Sequence, residues 1–196
     1  MFAIPDDLIL TGEFAALEPL STEHKDELIR AASDGELWTL TCTSVPSPDT
    51  MEQTIAEALS EKRAGDQFPF IVRRLSDNKI VGSTRYYYIK PQHRNLSIGF
   101  TWYGKSTQRT AINTQCKMLL LSYAFETLNC ISVALHVDDT NHASQAAVKR
   151  LGANQEGILR NDRIMPDGRI RHTHCYSILD SEWPEVKDRL TRYLGR

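Results

Sequence analysis

Ile112, Cys116, Leu119, Leu120, Tyr123 and Ala124 recur at the three- and four-residue spacing that lines one face of a helix. Thr110 stands just ahead of that run, and a threonine there can accept from first-turn N–H groups, so the pattern predicts a helix over about 110–128. The same reading predicts helices over 22–32, 49–64 and 141–151, the last ending at Gly152, and a terminal helix in SEWPEVKDRLTRYL (181–194). Between them lie segments rich in β-branched and aromatic residues. GEFAALEPL (12–20) alternates like a strand, FPFIVRRL (68–75) and IVGSTRYYYI (80–89) flank the turn SDNK, and LSIGFTWY (96–103) reads as the next strand. ISVALHV (131–137) follows the long helix, and two last strands are joined by PDG (166–168). The order is that of an α+β domain: an antiparallel meander, a strand–helix–strand–helix crossover, then a hairpin. Neither repeats nor a linker divide residues 1–196, so one domain is expected.

Composition narrows the classes. At 196 residues and 41% hydrophobic the chain can bury a sizeable core. A net charge of -2 lacks the basic excess of a general nucleic-acid binder. The start MFAIPDDLIL has neither the basic flank nor the apolar run of a signal peptide, and no window nears the roughly 20 apolar residues of a membrane span. Cys42, Cys116, Cys130 and Cys175 show no C-x-x-C spacing, which favours reduced thiols in a cytoplasmic protein.

The segment with chemical content is the loop STQRTAIN (106–113) at the start of the long helix. The first N–H groups of a helix have no partner within it, and the helix dipole adds positive potential there. Amides converging at that end bind phosphate oxygens. From the residues alone a capped core helix with a solvated entry loop is the favoured reading, because every protein helix has such an end.

Two runs, SIGFTWYGKSTQRTAINTQCKMLLLSYAFE and VDDTNHASQAAVKRLGANQEGILR, resemble the GNAT acetyltransferase superfamily, and within it the RimJ/RimL-like branch. The resemblance implies the acyl-CoA N-acyltransferase fold, a mixed, mostly antiparallel twisted sheet splayed between its fourth and fifth strands and flanked by helices. It implies acetyl-CoA as cofactor, an amine as acceptor and an N-acetyltransferase reaction. By that likeness Gln108, Arg109, Thr110, Ala111, Ile112 and Asn113 stand in the loop that holds the coenzyme A pyrophosphate. Ala111 and Asn113 stand where the family usually has a glycine or a small residue, and Thr110, Asn113 and Lys117 form a T-x-x-N-x-x-x-K variant. Amides near Phe100, Thr101 and Trp102 are expected to bind pantetheine and polarise the thioester, with Gly99 marking a bulge or a close backbone approach. Asn141 matches the asparagine that caps the following helix near pantetheine. Ser144 matches the serine beside the sulfur, which is thought to protonate the leaving thiolate; the tyrosine that many relatives use one turn later is Val148 here. Ala153 replaces a usual phenylalanine, a matter of packing.

Ser97 occupies the position of a frequent glutamate base, so among the catalytic positions that base is absent. His136, and with similar weight Asp138, are the substitutes, and a neutral amine that needs no base is a third option. His172 and His174 share a strand face without a third ligand, so no metal is expected. Tyr86, Tyr87 and Tyr88 with Arg85 can line an acceptor groove or simply alternate between core and surface. The acceptor is a primary amine, a protein N-terminus or a small molecule, with no nucleic acid or membrane partner. Antiparallel sheet edges leave a homodimer open. The rival reading is a CoA-binding regulatory or scaffold module without turnover, favoured by the missing loop glycines, Ser97 and Val148.

Overall fold

The computed structural model describes residues 2–165 and 167–195. Among the described residues eight strands form one sheet in the order β1-β2-β3-β4-β5-β6-β8-β7. They are β1 (Leu10–Thr11), β2 (Ala15–Pro19), β3 (Gln67–Arg74), β4 (Lys79–Lys90), β5 (Asn95–Tyr103), β6 (Ser132–Asp138), β7 (Asn154–Ile164) and β8 (Ile170–Leu179). Every neighbouring pair is antiparallel except β5 with β6. The fourth and fifth strands of the sequence reading are therefore β5 and β6 here, because the two-residue β1 was not foreseen. Among the described residues five helices flank the sheet: α1 (Lys25–Ser33), α2 (Met51–Ala64), α3 (Ala111–Ser122), α4 (His142–Leu151) and α5 (Trp183–Leu194).

Alternation along the strands separates two cores. On β3, Phe68, Phe70 and Val72 face the larger core with α3, α4 and α5, while Ile71 faces a smaller one with α1 and α2. The expected helix over 22–32 opens as a tight 3₁₀ turn, Thr22–His24, before α1 proper. The expected strand over 12–20 is shorter, and of the turn at 166–168 Pro166 lies outside the described residues.

The expected helix over 110–128 is α3, continued by a π-helical turn at Tyr123–Thr127 in which the Leu128 N–H reaches the Tyr123 carbonyl at 3.0 Å. Its apolar face holds as expected for Ile112, Cys116, Leu120 and Ala124, whereas Leu119 and Tyr123 are only partly buried. Thr114, Gln115 and Lys117 are buried as well. The reason lies in the neighbours. β1 and β2 wrap one flank of α3, and Gln115 accepts a hydrogen bond from the Glu13 N–H at 3.1 Å.

Candidate active site

The site begins with the way β5 leaves β6. The two strands pair in parallel only at Asn95 with Ser132, Leu96 with Val133 and Ser97 with Ala134. Beyond Ser97 they part, leaving the β6-facing backbone groups of β5 without a ladder partner. Against β4 the register jumps: Arg85 faces Gly99 but Ser83 faces Trp102, so Thr84 alone opposes Phe100 and Thr101. That is a β-bulge, which bends the strand and increases its twist. Phe100 sits at its apex in the left-handed region, φ 50°, and the residue is 47% exposed. Gly99 is there because of a close approach, since a β-carbon on it would lie 2.7 Å from the Tyr87 ring. Trp102 packs instead toward the smaller core.

The gap opens toward the carboxyl ends of two parallel strands, and each strand is followed by a helix. The N-termini of α3 and α4 thus both lie at its open end, the position where α/β sheets bind ligands. Before α3 the chain is tightly tied. The Asp34 carboxylate accepts from the Ser106 N–H at 2.9 Å and hydroxyl at 2.6 Å, and its carbonyl accepts from Lys105 N–H at 2.8 Å. Those Ser106 hydrogen bonds hold the Asp34 carboxyl below its ordinary pKa. Gln108 turns its side chain inward and donates to the Tyr103 carbonyl at 3.1 Å. Thr110 caps α3, accepting from the Ile112 N–H at 3.4 Å and donating to the Thr107 carbonyl at 2.7 Å.

A cavity of about 460 Å³ lies against this end, lined by Thr110, Ala111 and Ile112 together with Glu13, Phe14, Arg74, Leu75 and Ser76. The left-handed residue in this loop is Arg109, φ 62°, whereas Ala111 and Asn113 lie within α3. Helical positions need no glycine. The two departures from the family pattern therefore leave the backbone donors of the helix mouth in place, and the residues present fit a diphosphate.

At α4, Asn141 is the cap: its side-chain oxygen accepts from the Ser144 N–H at 3.0 Å and its amide donates to the Cys42 carbonyl at 3.3 Å. Ser144 thereby sits in the first turn, half-buried, with no hydrogen bond from its hydroxyl to another described residue.

On the α1/α2 face, a row of side chains crosses the gap. The Arg85 guanidinium lies 4.2 Å from the Phe100 ring centroid, Phe100 meets Tyr87 edge-on at 5.3 Å, and Tyr87 meets His136 at 6.0 Å. The Tyr87 hydroxyl and His136 Nδ1 are 2.7 Å apart. Burial pushes the His136 pKa below its ordinary value, opposed by Asp162, and raises that of Tyr87, so both are neutral near pH 7. Ser97 is buried beside Tyr87, its partner in the ladder. Tyr87 is the residue that sequence reasoning placed only in a groove lining.

Asp138 is differently occupied. Its carboxylate, 1% exposed, accepts from Arg169 at 2.7 and 3.2 Å and from the Thr140 N–H and hydroxyl at 2.9 and 2.8 Å. Burial alone would raise its pKa, but these donors outweigh it and hold it at about 2. Its lone pairs are taken, which leaves His136 as the free proton acceptor of the two. His172 accepts from the Asn161 N–H at 2.9 Å, and among the described residues no cluster of three or more metal-ligating side chains occurs.

Behind the bulge, on the α3 face, Lys117 is 6% exposed and donates to the Thr101 hydroxyl at 2.9 Å, which meets the Thr84 hydroxyl at 2.8 Å. Lys117 pairs with no carboxylate among the described residues, and burial pulls its pKa down to about 8.

Residues 16–154 match the acetyltransferase (GNAT) domain family. The chain belongs to that family. YdaF of Bacillus subtilis, which carries the name of a ribosomal N-acetyltransferase, is 29% identical over 87% of this chain and 92% of its own. The crystal structure of a GCN5-related N-acetyltransferase from Brucella melitensis superposes with a TM-score of 0.87 at 29% identity, covering 97% of this chain and 86% of that one. RimJ of Mycobacterium smegmatis, solved with CoA-disulfide, shares the fold at a TM-score of 0.77 and 20% identity, covering 93% and 90%. The likeness to YdaF supports the RimJ/RimL-like branch. This GNAT chain is thus an acyl-transferring enzyme, and no helix among its described residues is long and apolar enough to cross a membrane.

Proposed function

We propose that this acetyltransferase takes its acetyl group from acetyl-CoA and passes it to a primary amine, a protein N-terminus or a small molecule, by direct attack in a ternary complex. The observation that carries the reading is the three-residue β5–β6 pairing with a bulge beside it, since it leaves backbone donors aimed into a gap between two helix N-termini.

In this reading the N–H groups of Thr110, Ala111, Ile112 and Asn113, with Arg109 beside them, hold the diphosphate. Unpaired β5 groups near Phe100, Thr101 and Trp102 bind the pantetheine arm as an added strand would. Acetyl-CoA supplies an acyl carbon activated by its thioester; everything else is done by the chain. Donors at the bulge face the oxygen on which charge develops, where fixed dipoles matter most. The buried Lys117 ammonium, one hydroxyl behind them, adds positive potential.

The amine nitrogen forms the new C–N bond as the C–S bond breaks. His136 accepts the amine proton at Nε2, in the tautomer whose Nδ1–H donates to the Tyr87 oxygen. The Ser144 hydroxyl delivers a proton to the departing sulfur and regains one from solvent, to which His136 releases the amine proton, so the step is proton-neutral. Products are the acetamide and the free thiol.

Acetyl-CoA affinity by calorimetry, together with thiol release against a panel of amines, tests the reading. Binding with turnover is expected. Binding without turnover on any amine would leave a non-catalytic CoA-binding module, and no binding would remove the site altogether.

A further inference from the structure

Arg85 is out of keeping with the other partly buried arginines among the described residues. Arg73, Arg74 and Arg169 each reach a carboxylate at 2.7 Å, on Glu18, Asp77 and Asp138, and Arg171 stands 3.7 Å from Asp138. Arg85 pairs with no carboxylate among the described residues. One terminal nitrogen donates to the Gln67 side chain at 2.8 Å, while Nε is buried with no partner among the described residues. Burial, only partly offset by Glu57, pulls its pKa down to about 10. A desolvated guanidinium left without an anion is a costly arrangement, and a planar fork of donors matches a carboxylate.

Its position says which anion. Arg85 and Tyr87 are two apart on β4 and share a face, while Tyr86 between them points the other way and donates to the Leu120 carbonyl of α3. Arg85 therefore stands on the α1/α2 side, across the sheet from α3, and continues the row Phe100–Tyr87–His136. That row is the wall an incoming amine meets on its way to the gap.

We infer that Arg85 binds a carboxylate of the acceptor, and that the acceptor is a primary amine with a carboxylate several bonds away. This rests on the reading of the cleft as an acetyl-CoA site. Arg85 and His136 stand at the two ends of the row with the Phe100 and Tyr87 rings between them, so the two ends of the acceptor are set apart by ring spacings, on the order of 10 Å. An α-amino acid, with both groups on one carbon, is too short. A straight amino acid with several methylenes reaches, and so does a peptide N-terminus with an acidic side chain in its first residues.

The test compares acceptors that differ only in the anion. The pairs are 6-aminohexanoate against hexylamine, and alanyl-glutamate amide against alanyl-glutamine amide, each by kcat/KM with acetyl-CoA. At least one acidic member is expected to be preferred roughly 10- to 100-fold, and the pair that shows it tells a small molecule from a peptide. Arg85→Gln should bring that ratio near one, and Arg85→Lys should keep part of it. A ratio taken within one variant cancels any loss of folded protein. Equal use of both members, a preference that survives Arg85→Gln, or acetylation of none of the four would overturn the inference. Acetyl-CoA binding, measured alongside, separates the cases: if it is absent, the reading of the cleft fails, and if it is present, only the acceptor assignment does.

Discussion

Replacing Lys117 with methionine should make the folded chain more stable near neutral pH, and the gain should fade as pH rises. The side chain is buried on α3, its ammonium donates to one threonine hydroxyl, and no carboxylate among the described residues meets it. Burial lowers its pKa from 10.5 to about 8, while in the unfolded chain it stays near 10.4. Below both values the lysine is charged in either state, and holding that charge inside costs about 3 kcal/mol. Between them the unfolded chain binds more protons than the folded one, so wild-type stability rises with pH across that window.

Methionine keeps the unbranched volume and removes the charge, while the lost hydrogen bond costs about 1 kcal/mol. The variant should therefore be more stable by about 2 kcal/mol near about pH 7, and the two chains should converge near about pH 9.5. Urea unfolding of both at the two pH values measures this. A wild type that is the more stable at about pH 7, or a difference that does not change with pH, would refute the reasoning. Turnover should move the opposite way: the same substitution, by removing positive potential behind the bulge, should lower kcat roughly tenfold.

Other substitutions probe separate parts of the site. Ser144→Ala should lower turnover and leave acetyl-CoA affinity nearly intact, and an unaltered kcat would end its role as acid. The acid limb of kcat/KM should fall with a midpoint below the ordinary histidine value, because burial lowers the His136 pKa, and His136→Gln should abolish that limb; a limb that persists assigns the base elsewhere. Asp138 holds its carboxyl at about 2 in the folded chain, so its contribution is full above about pH 4 and is lost as pH falls through about 2. Asp138→Asn should therefore cost about 2 kcal/mol near neutrality, read by urea unfolding, and little at low pH. Ala111→Asp sets a carboxylate at the helix mouth and should abolish acetyl-CoA binding in calorimetry without unfolding the domain.

The fold was largely legible because each element carries its own period. β3 alternates across two cores, and α3 is announced by Thr110 and four apolar positions that do face the core. The helix mouth was legible for the same local reason. The remainder depends on contacts between distant segments. Tyr87 and His136 are 49 positions apart, and nothing in either strand signals that a hydroxyl will meet a ring nitrogen. Lys117 reads as a surface lysine until β1, β2 and the bulged β5 close over α3. Asp138 reads as a free carboxylate until Arg169, on the far side of a hairpin, takes it. The bulge was half legible: Gly99 marks it, but the residue that turns left-handed is its neighbour Phe100. Likewise the loop's glycine-like conformation is carried by Arg109, where no composition rule would look.

The central claim is that the mouth of α3 grips a diphosphate and thereby points an acyl thioester along the parting of β5 and β6. Titrating acetyl-CoA into isotope-labelled protein and following backbone amides by NMR tests it most directly. The account predicts saturable shifts that are largest at Thr110, Ala111, Ile112 and Asn113, with a second group at Phe100, Thr101 and Trp102. Saturable binding that leaves both groups unmoved, or no binding, would contradict it.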